Sequence, residues 1–168
     1  MATTTQLAIE TYLKTSYHPD CDFVDGEIEE RNLGEFDHAA LQAALVAYFY
    51  PKRQGWNIHV LPEQRVRVSA TRVRIPDVCL VSRDLPIEQV ITRPPLVVVE
   101  ILSPEDRLSA IFAKCERYHD WGVPFCWIVD PIKEAGWEYH KDADPVHIDQ
   151  TGTLTAGTLK IDLSDLFR

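Results

Sequence analysis

The run Leu96-Val97-Val98-Val99-Glu100-Ile101-Leu102 limits what this chain can fold into more than any other stretch. Unbroken β-branched and aliphatic residues suit a strand covered on both faces, because a strand with one wet face alternates apolar with polar. Glu100 is the exception inside the run. Desolvating an ionised carboxylate costs several kcal/mol, as an order of magnitude, unless a cation or hydrogen-bond donors meet it. Glu100 therefore requires a partner: a metal ion is one answer, an arginine such as Arg74 another.

A helix and a second buried strand are expected after this one. Ser103-Pro104-Glu105-Asp106 has the build of a helix start, with Ser103 as cap and Pro104 in the first turn. The helix is expected to run to Trp121 and stop at Gly122, with Pro124 beyond. Phe125-Cys126-Trp127-Ile128-Val129 is apolar again, so strand, helix and strand form a parallel right-handed crossover. Short segments at residues 136–141, 146–148 and 158–161, separated by acidic turns, predict a peripheral antiparallel extension closed by Leu163, Leu166 and Phe167.

Upstream, Thr4 caps a helix expected over residues 6–15. Asp25-Gly26 supplies the positive φ values of a two-residue hairpin turn between 21–24 and 27–29. Leu41, Leu45, Val46 and Phe49 recur at helical spacing and predict a helix over 37–50 lying on a sheet. His38 opens that helix, either as a capping or surface residue or aimed into a cleft. Strands are expected over 56–61, 64–68 and 73–81, and a loop over 84–95.

The 168 residues suit one domain, read as spanning 1–168. With 45% apolar and 26% charged residues the composition is that of a globular protein. No apolar run approaches the ~20 residues of a membrane helix and the N-terminus lacks a signal-peptide pattern, so a cytoplasmic location is expected. Cys21, Cys79, Cys115 and Cys126 form no C-x-x-C pair and are read as reduced core thiols. The formal charge of −9 argues against nonspecific coating of nucleic acid. Residues 52–76, however, hold six Lys/Arg against one acid, Glu63. Arg65, Arg67 and Arg74 in this segment either lead a phosphate toward Asp77 or form the solvated face of a hairpin.

Three groups could converge. Asp77 follows Pro76 at a strand edge. Were its strand the neighbour of Glu100's, about 4.8 Å away, the two carboxylates could share a divalent cation, with the Ile101 carbonyl as a further ligand. Lys114, two turns into the following helix, returns to the level of Glu100. A hard metal and a nearby ammonium are what phosphodiester hydrolysis uses.

Pro76-Asp77-Val78, Pro94-Pro95 with the run to Ser103-Pro104, Lys114, Tyr118, Gly122-Val123-Pro124 and Trp127-Ile128-Val129-Asp130-Pro131 together resemble the Uma-type family of restriction endonucleases, within the PD-(D/E)xK nuclease superfamily. The likeness extends to Val24-Asp25-Gly26-Glu27, His38 and the closing residues 163–167. It implies an α/β, restriction endonuclease-like core, a mixed β-sheet flanked by helices with a C-terminal antiparallel β extension. It also implies a Mg²⁺ (or Mn²⁺) site acting on DNA, and a homodimer. By the same resemblance Asp77, Glu100 and Lys114 are the catalytic set, Asp77, Glu100 and Ile101 the metal ligands, Glu27 and His38 further candidates, and Arg65, Arg67 and Arg74 nucleic-acid contacts. Two departures stand out. The superfamily's lysine position two residues after the second carboxylate is Leu102, as in the Uma-type pattern, and an aspartate frequent four residues before the helical lysine is replaced by Ala110. Glu105 or Asp106 could substitute. The alternative reading is a catalytically inactive relative that binds nucleic acid or protein, or serves as a dimerisation module.

Overall fold

The computed structural model describes residues 7–32 and 34–167. Its centre is a six-stranded mixed sheet. In chain order it draws on β3 (Ile58–Pro62), β6 (Val78–Ser82), β7 (Val97–Ile101), β8 (Phe125–Asp130), β9 (Ala135–His140) and β10 (Val146–Ile148). They lie side by side as β10-β9-β8-β7-β6-β3, with β7 and β8 parallel and every other neighbour antiparallel. All five residues of β7 are buried, as an apolar run between two helical layers requires.

On one face α2 (Phe36–Phe49) packs through Leu41, Leu45 and Phe49, joined by α4 (Leu163–Leu166) and a small sheet of β11 (Thr153–Ala156) and β12 (Leu159–Asp162). Trp127 and the odd-numbered residues of β7 fill that layer. The other face carries α3 (Leu108–Trp121), which sets Cys115 and Tyr118 against Val98, Cys126 and Ile128. The four cysteines are free and buried. No helix among the described residues is long and apolar enough to cross a membrane.

A second sheet holds β1 (Asp22–Val24), β2 (Glu27–Glu29), β4 (Val66–Ser69) and β5 (Arg72–Arg74) in the order β2-β1-β5-β4. Its hairpin turns at Asp25 (φ 51) and Gly26 (φ 93), as Asp-Gly predicts. Tyr12 from α1 (Ile9–Leu13) seals it against Phe23 and Val73. The expected cap Thr4 and the helix start at Gln6 lie outside the described residues.

Three expectations are corrected. The strand expected over 73–81 is two strands in two sheets, β5 and β6, because Pro76 has no N–H to give a ladder and Ile75 donates its own to Asp22 Oδ1 (3.0 Å). The third helix starts at Leu108, not at Ser103: the Asp106 carboxylate accepts the Ser103 N–H (2.8 Å) and closes a turn before the helix. The C-terminal strands are less peripheral than expected, since β9 and β10 widen the central sheet and only β11 and β12 stand apart.

Candidate active site

The break at Pro76 builds the site. In the β6 and β7 ladder the last pair is Val78 with Val99, so Asp77 and Pro76 lie just beyond it on one chain segment as Glu100 and Ile101 do on the other. The ladder ends where the proline falls. There the Asp77 carboxylate substitutes for a backbone acceptor: Oδ2 takes the Ile101 N–H at 2.7 Å. The Asp77 carbonyl accepts from Gln42 Nε2 (2.9 Å) and from the Glu63 N–H (3.2 Å). Asp77, just before β6, and Glu100, in β7, thus come from neighbouring strands of one sheet, the condition set above, and each is about 5% exposed.

Each buried acid has found a cation. Asp77 Oδ1 accepts from Arg31 Nη2 at 2.9 Å and lies 3.2 Å from His38 Nε2, on the first turn of α2. Burial works against ionising Asp77, but His38, the Ile101 N–H and Arg31 together hold its carboxyl below the usual range. The hydrogen bond to Asp77 in turn raises the pKa of His38 against the opposing effect of burial. Glu100 Oε1 accepts from Lys114 Nζ and from the Tyr118 hydroxyl, both at 3.0 Å. Lys114 and Tyr118 are one helical turn apart, so one face of α3 delivers both. Burial raises the Glu100 pKa, partly offset by Lys114; Glu100 and Asp22 keep Lys114 an ammonium despite its own desolvation.

These groups open onto a cleft of about 600 Å³ between the second sheet, the start of α2 and α3. Among its lining residues are Arg31, His38, Asp77, Glu100, Lys114 and Arg117, and Asp22 from β1. Asp22 and Arg31 are functional candidates that sequence reasoning missed. Arg31 is one of only two cations in the first 36 residues, the other being Lys14, and that isolation was a usable signal. Asp22 opens a hairpin strand and carried none.

Arg74 is not the partner of Glu100. It is buried, and Nη1 binds Asp22 Oδ2 (3.0 Å) and Glu29 Oε2 (2.9 Å). Arg65 is held by Asp20 (2.6 Å) over the Tyr12 ring, and Arg67 donates to the carbonyls of Ser69 and Ala70. Of the three, Arg74 lines the cleft with Asp77 while Arg65 and Arg67 do not, and Arg65, Arg72 and Arg74 are each paired with an acid. Glu27 is exposed on β2 and does not line the cleft. Ala110 and Asp106 line it; Glu105 does not. Asp106 is already engaged by Asn32 Nδ2 (2.9 Å) and Ser103.

Among the described residues no three histidine, cysteine or acidic side chains form a ready-made metal cage. The donor set is instead two carboxylates lining one cleft, whose hard oxygens fit Mg²⁺, an ion bound through one or two protein carboxylates plus water and substrate phosphate. Arg31 and His38 both contact Asp77 Oδ1.

The crystal structure of a nuclease, described as putative, belonging to DUF820 from Anabaena variabilis superposes with a TM-score of 0.82 at 17% identity, covering 96% of this chain and 97% of that one. At that identity the likeness establishes a shared fold. A search of curated proteins finds no match. The family model of Uma2, described as "putative restriction endonuclease", matches residues 9–165. With a match over nearly its whole length, including Asp77, Glu100 and Lys114, this chain belongs to the Uma2 family.

Proposed function

We propose that the cleft is the active site of a divalent-metal-dependent endonuclease of the PD-(D/E)xK kind, acting on DNA in the cytoplasm as a homodimer. The observation that carries the reading is that Asp77 and Glu100, both buried, line one cleft, with Asp77 bound to the Ile101 N–H beside Glu100 and Lys114 3.0 Å from Glu100. A purely structural core has little use for two acids and their cations where apolar residues would pack as well. Asp77, Glu100 and the Ile101 carbonyl would hold the ion. When bound, it lowers the pKa of a water and polarises a phosphoryl oxygen.

The chain's own residues supply the rest. Lys114, kept protonated by the acids around it, sets positive charge where the phosphate gains negative charge during in-line attack. Tyr118 donates to the same Glu100 oxygen and fixes the carboxylate's rotation. Arg31 and His38 favour the ionised form of Asp77. Arg31, leaving Asp77, and Arg117 at the rim are placed to meet backbone phosphates.

One observation favours a second reading. Ala110 lines the cleft where the family pattern often has an aspartate, and Asp77 is fully engaged by protein donors. A catalytically inactive relative that binds nucleic acid or protein would carry these marks. Supercoiled plasmid incubated with Mg²⁺ or Mn²⁺ separates the two. Nicking that EDTA and Asp77→Asn abolish supports the endonuclease; DNA binding without nicking, unchanged by EDTA, selects the inactive relative.

A further inference from the structure

We propose that a second copy of this chain seats on the outer face of α2, antiparallel to it, with the twofold axis passing near Ala43. This gives the homodimer a surface; it rests on that part of the reading above and is independent of the chemistry in the cleft.

The inner face of α2 is spent on Leu41, Leu45 and Phe49. Its outer face carries Phe36, Ala40, Ala43, Ala47 and Tyr50, all exposed, at intervals of 4, 3, 4 and 3. That spacing is the seam of paired helices. A helix paired only with its own domain would show charge here, yet between Asp37 and Lys52 there is no Asp, Glu, Lys or Arg, and His38 turns to Asp77 instead. Phe36 is 84% exposed and Tyr50 52%. Two aromatic rings at the ends of an uncharged helix face are a liability on a free monomer and an anchor in an interface.

The occupant is set by symmetry and charge. The seam is nearly its own mirror about Ala43: reversed, position 36 meets 50 and 40 meets 47. An antiparallel copy therefore sets each Phe36 beside the other copy's Tyr50, where a groove of about 440 Å³ between Ala43, Ala47, Tyr50 and Pro62 receives a ring. Alanines at the crossing let two helices approach to about 8 Å and lose no rotamer freedom. Charge selects the same direction. Glu35 and Asp37 open α2, and Lys52 and Arg53 follow it, held over the Tyr48 and Tyr50 rings at 3.7 and 3.9 Å. Antiparallel pairing brings acid to base at both ends; parallel pairing brings like to like. Chains of net charge −9 repel one another over most of their surface, and this face lacks that repulsion. One helix pair buries less than the ~800 Å² per partner of a standard interface, so the dimer is expected in the micromolar range.

Sedimentation velocity of the full chain from low micromolar to submillimolar concentration tests this. Wild type is expected to show a reversible dimer, Ala47→Glu to raise its dissociation constant at least about tenfold, and Ala143→Glu on a remote turn to leave it unchanged. Ala43→Cys is expected to form an interchain disulfide on mild oxidation, which the buried native cysteines do not, and this holds the test open if Ala47→Glu fails to fold. A wild-type monomer at all concentrations, a dimer indifferent to Ala47→Glu, or no cross-link from Ala43→Cys overturns the proposal. Dimerisation without plasmid nicking leaves it standing while the hydrolytic reading falls, and nicking by a monomer does the reverse.

Discussion

Lys114→Met keeps the length and apolar stem of the side chain and removes the charge that offsets Glu100. The Glu100 carboxylate is then left with the Tyr118 hydroxyl alone, at 3.0 Å. Breaking one side of a buried ion pair costs about 3 to 5 kcal/mol, but here the cost has a ceiling set by protonation. From an ordinary value of 4.5, neutralising Glu100 at pH 7 takes about 2.5 units at 1.36 kcal/mol each, roughly 3 kcal/mol. At pH 5 the same step costs about 0.7 kcal/mol. The loss of stability in Lys114→Met is therefore expected to reach about 3 kcal/mol at pH 7 and to shrink below about 1 kcal/mol near pH 5. Urea unfolding followed by tryptophan fluorescence, to which the fully buried Trp127 contributes, measures both values. Adding Glu100→Gln should return most of the stability at pH 7, because the residue no longer carries a charge to strand. An equal loss at both pH values, or no recovery in the double variant, would refute the argument that Lys114 serves to neutralise Glu100.

Two further perturbations act on neighbouring pairs. The His38 pKa is raised in the folded chain by its hydrogen bond to Asp77, so its contribution is complete below the ordinary value of 6.5 and is lost as pH rises through the folded value. The urea midpoint of the wild type should fall across that window and that of His38→Gln should not; parallel profiles would remove His38 from the account. Arg74→Met strands Asp22, which is buried, and releases Glu29, which is not. A loss of about 2 to 4 kcal/mol is expected, largely recovered by Asp22→Asn, and a near-neutral Arg74→Met would show that Asp22 finds another partner.

Much of this arrangement was legible because Glu100 is out of place in its own strand. A carboxylate within an unbroken apolar run requires a partner, and the crossover helix had to pass back over the same sheet face, so Lys114 could be reached by length alone. The partner's identity among several cations was less legible: Arg74 lay nearer in sequence to Asp77 but went to Asp22, because β5 left the central sheet. That departure is written in Pro76, which reads first as a neighbour of Asp77 and only second as the end of a ladder. Ser103 misled in the opposite way. Its caplike sequence is real, but the Asp106 side chain closes a local turn first, and α3 begins at Leu108, so Lys114 lies under two turns along it. Arg31 stands in a loop, where no period governs which way a side chain points, and only its isolation among acids marked it. His38 shows how tertiary geometry decides: the same position on a helix start would be a surface residue had Asp77 not been brought beneath it.

Binding of Mn²⁺, followed by loss of the free-ion paramagnetic resonance signal as protein is added, tests most directly whether Asp77 and Glu100 together form a cation site. The wild type should take up one ion per chain, and Asp77→Asn and Glu100→Gln should each abolish uptake while retaining the wild-type circular dichroism spectrum. Uptake that survives both substitutions, or a folded wild type that leaves the free-ion signal untouched, would contradict it.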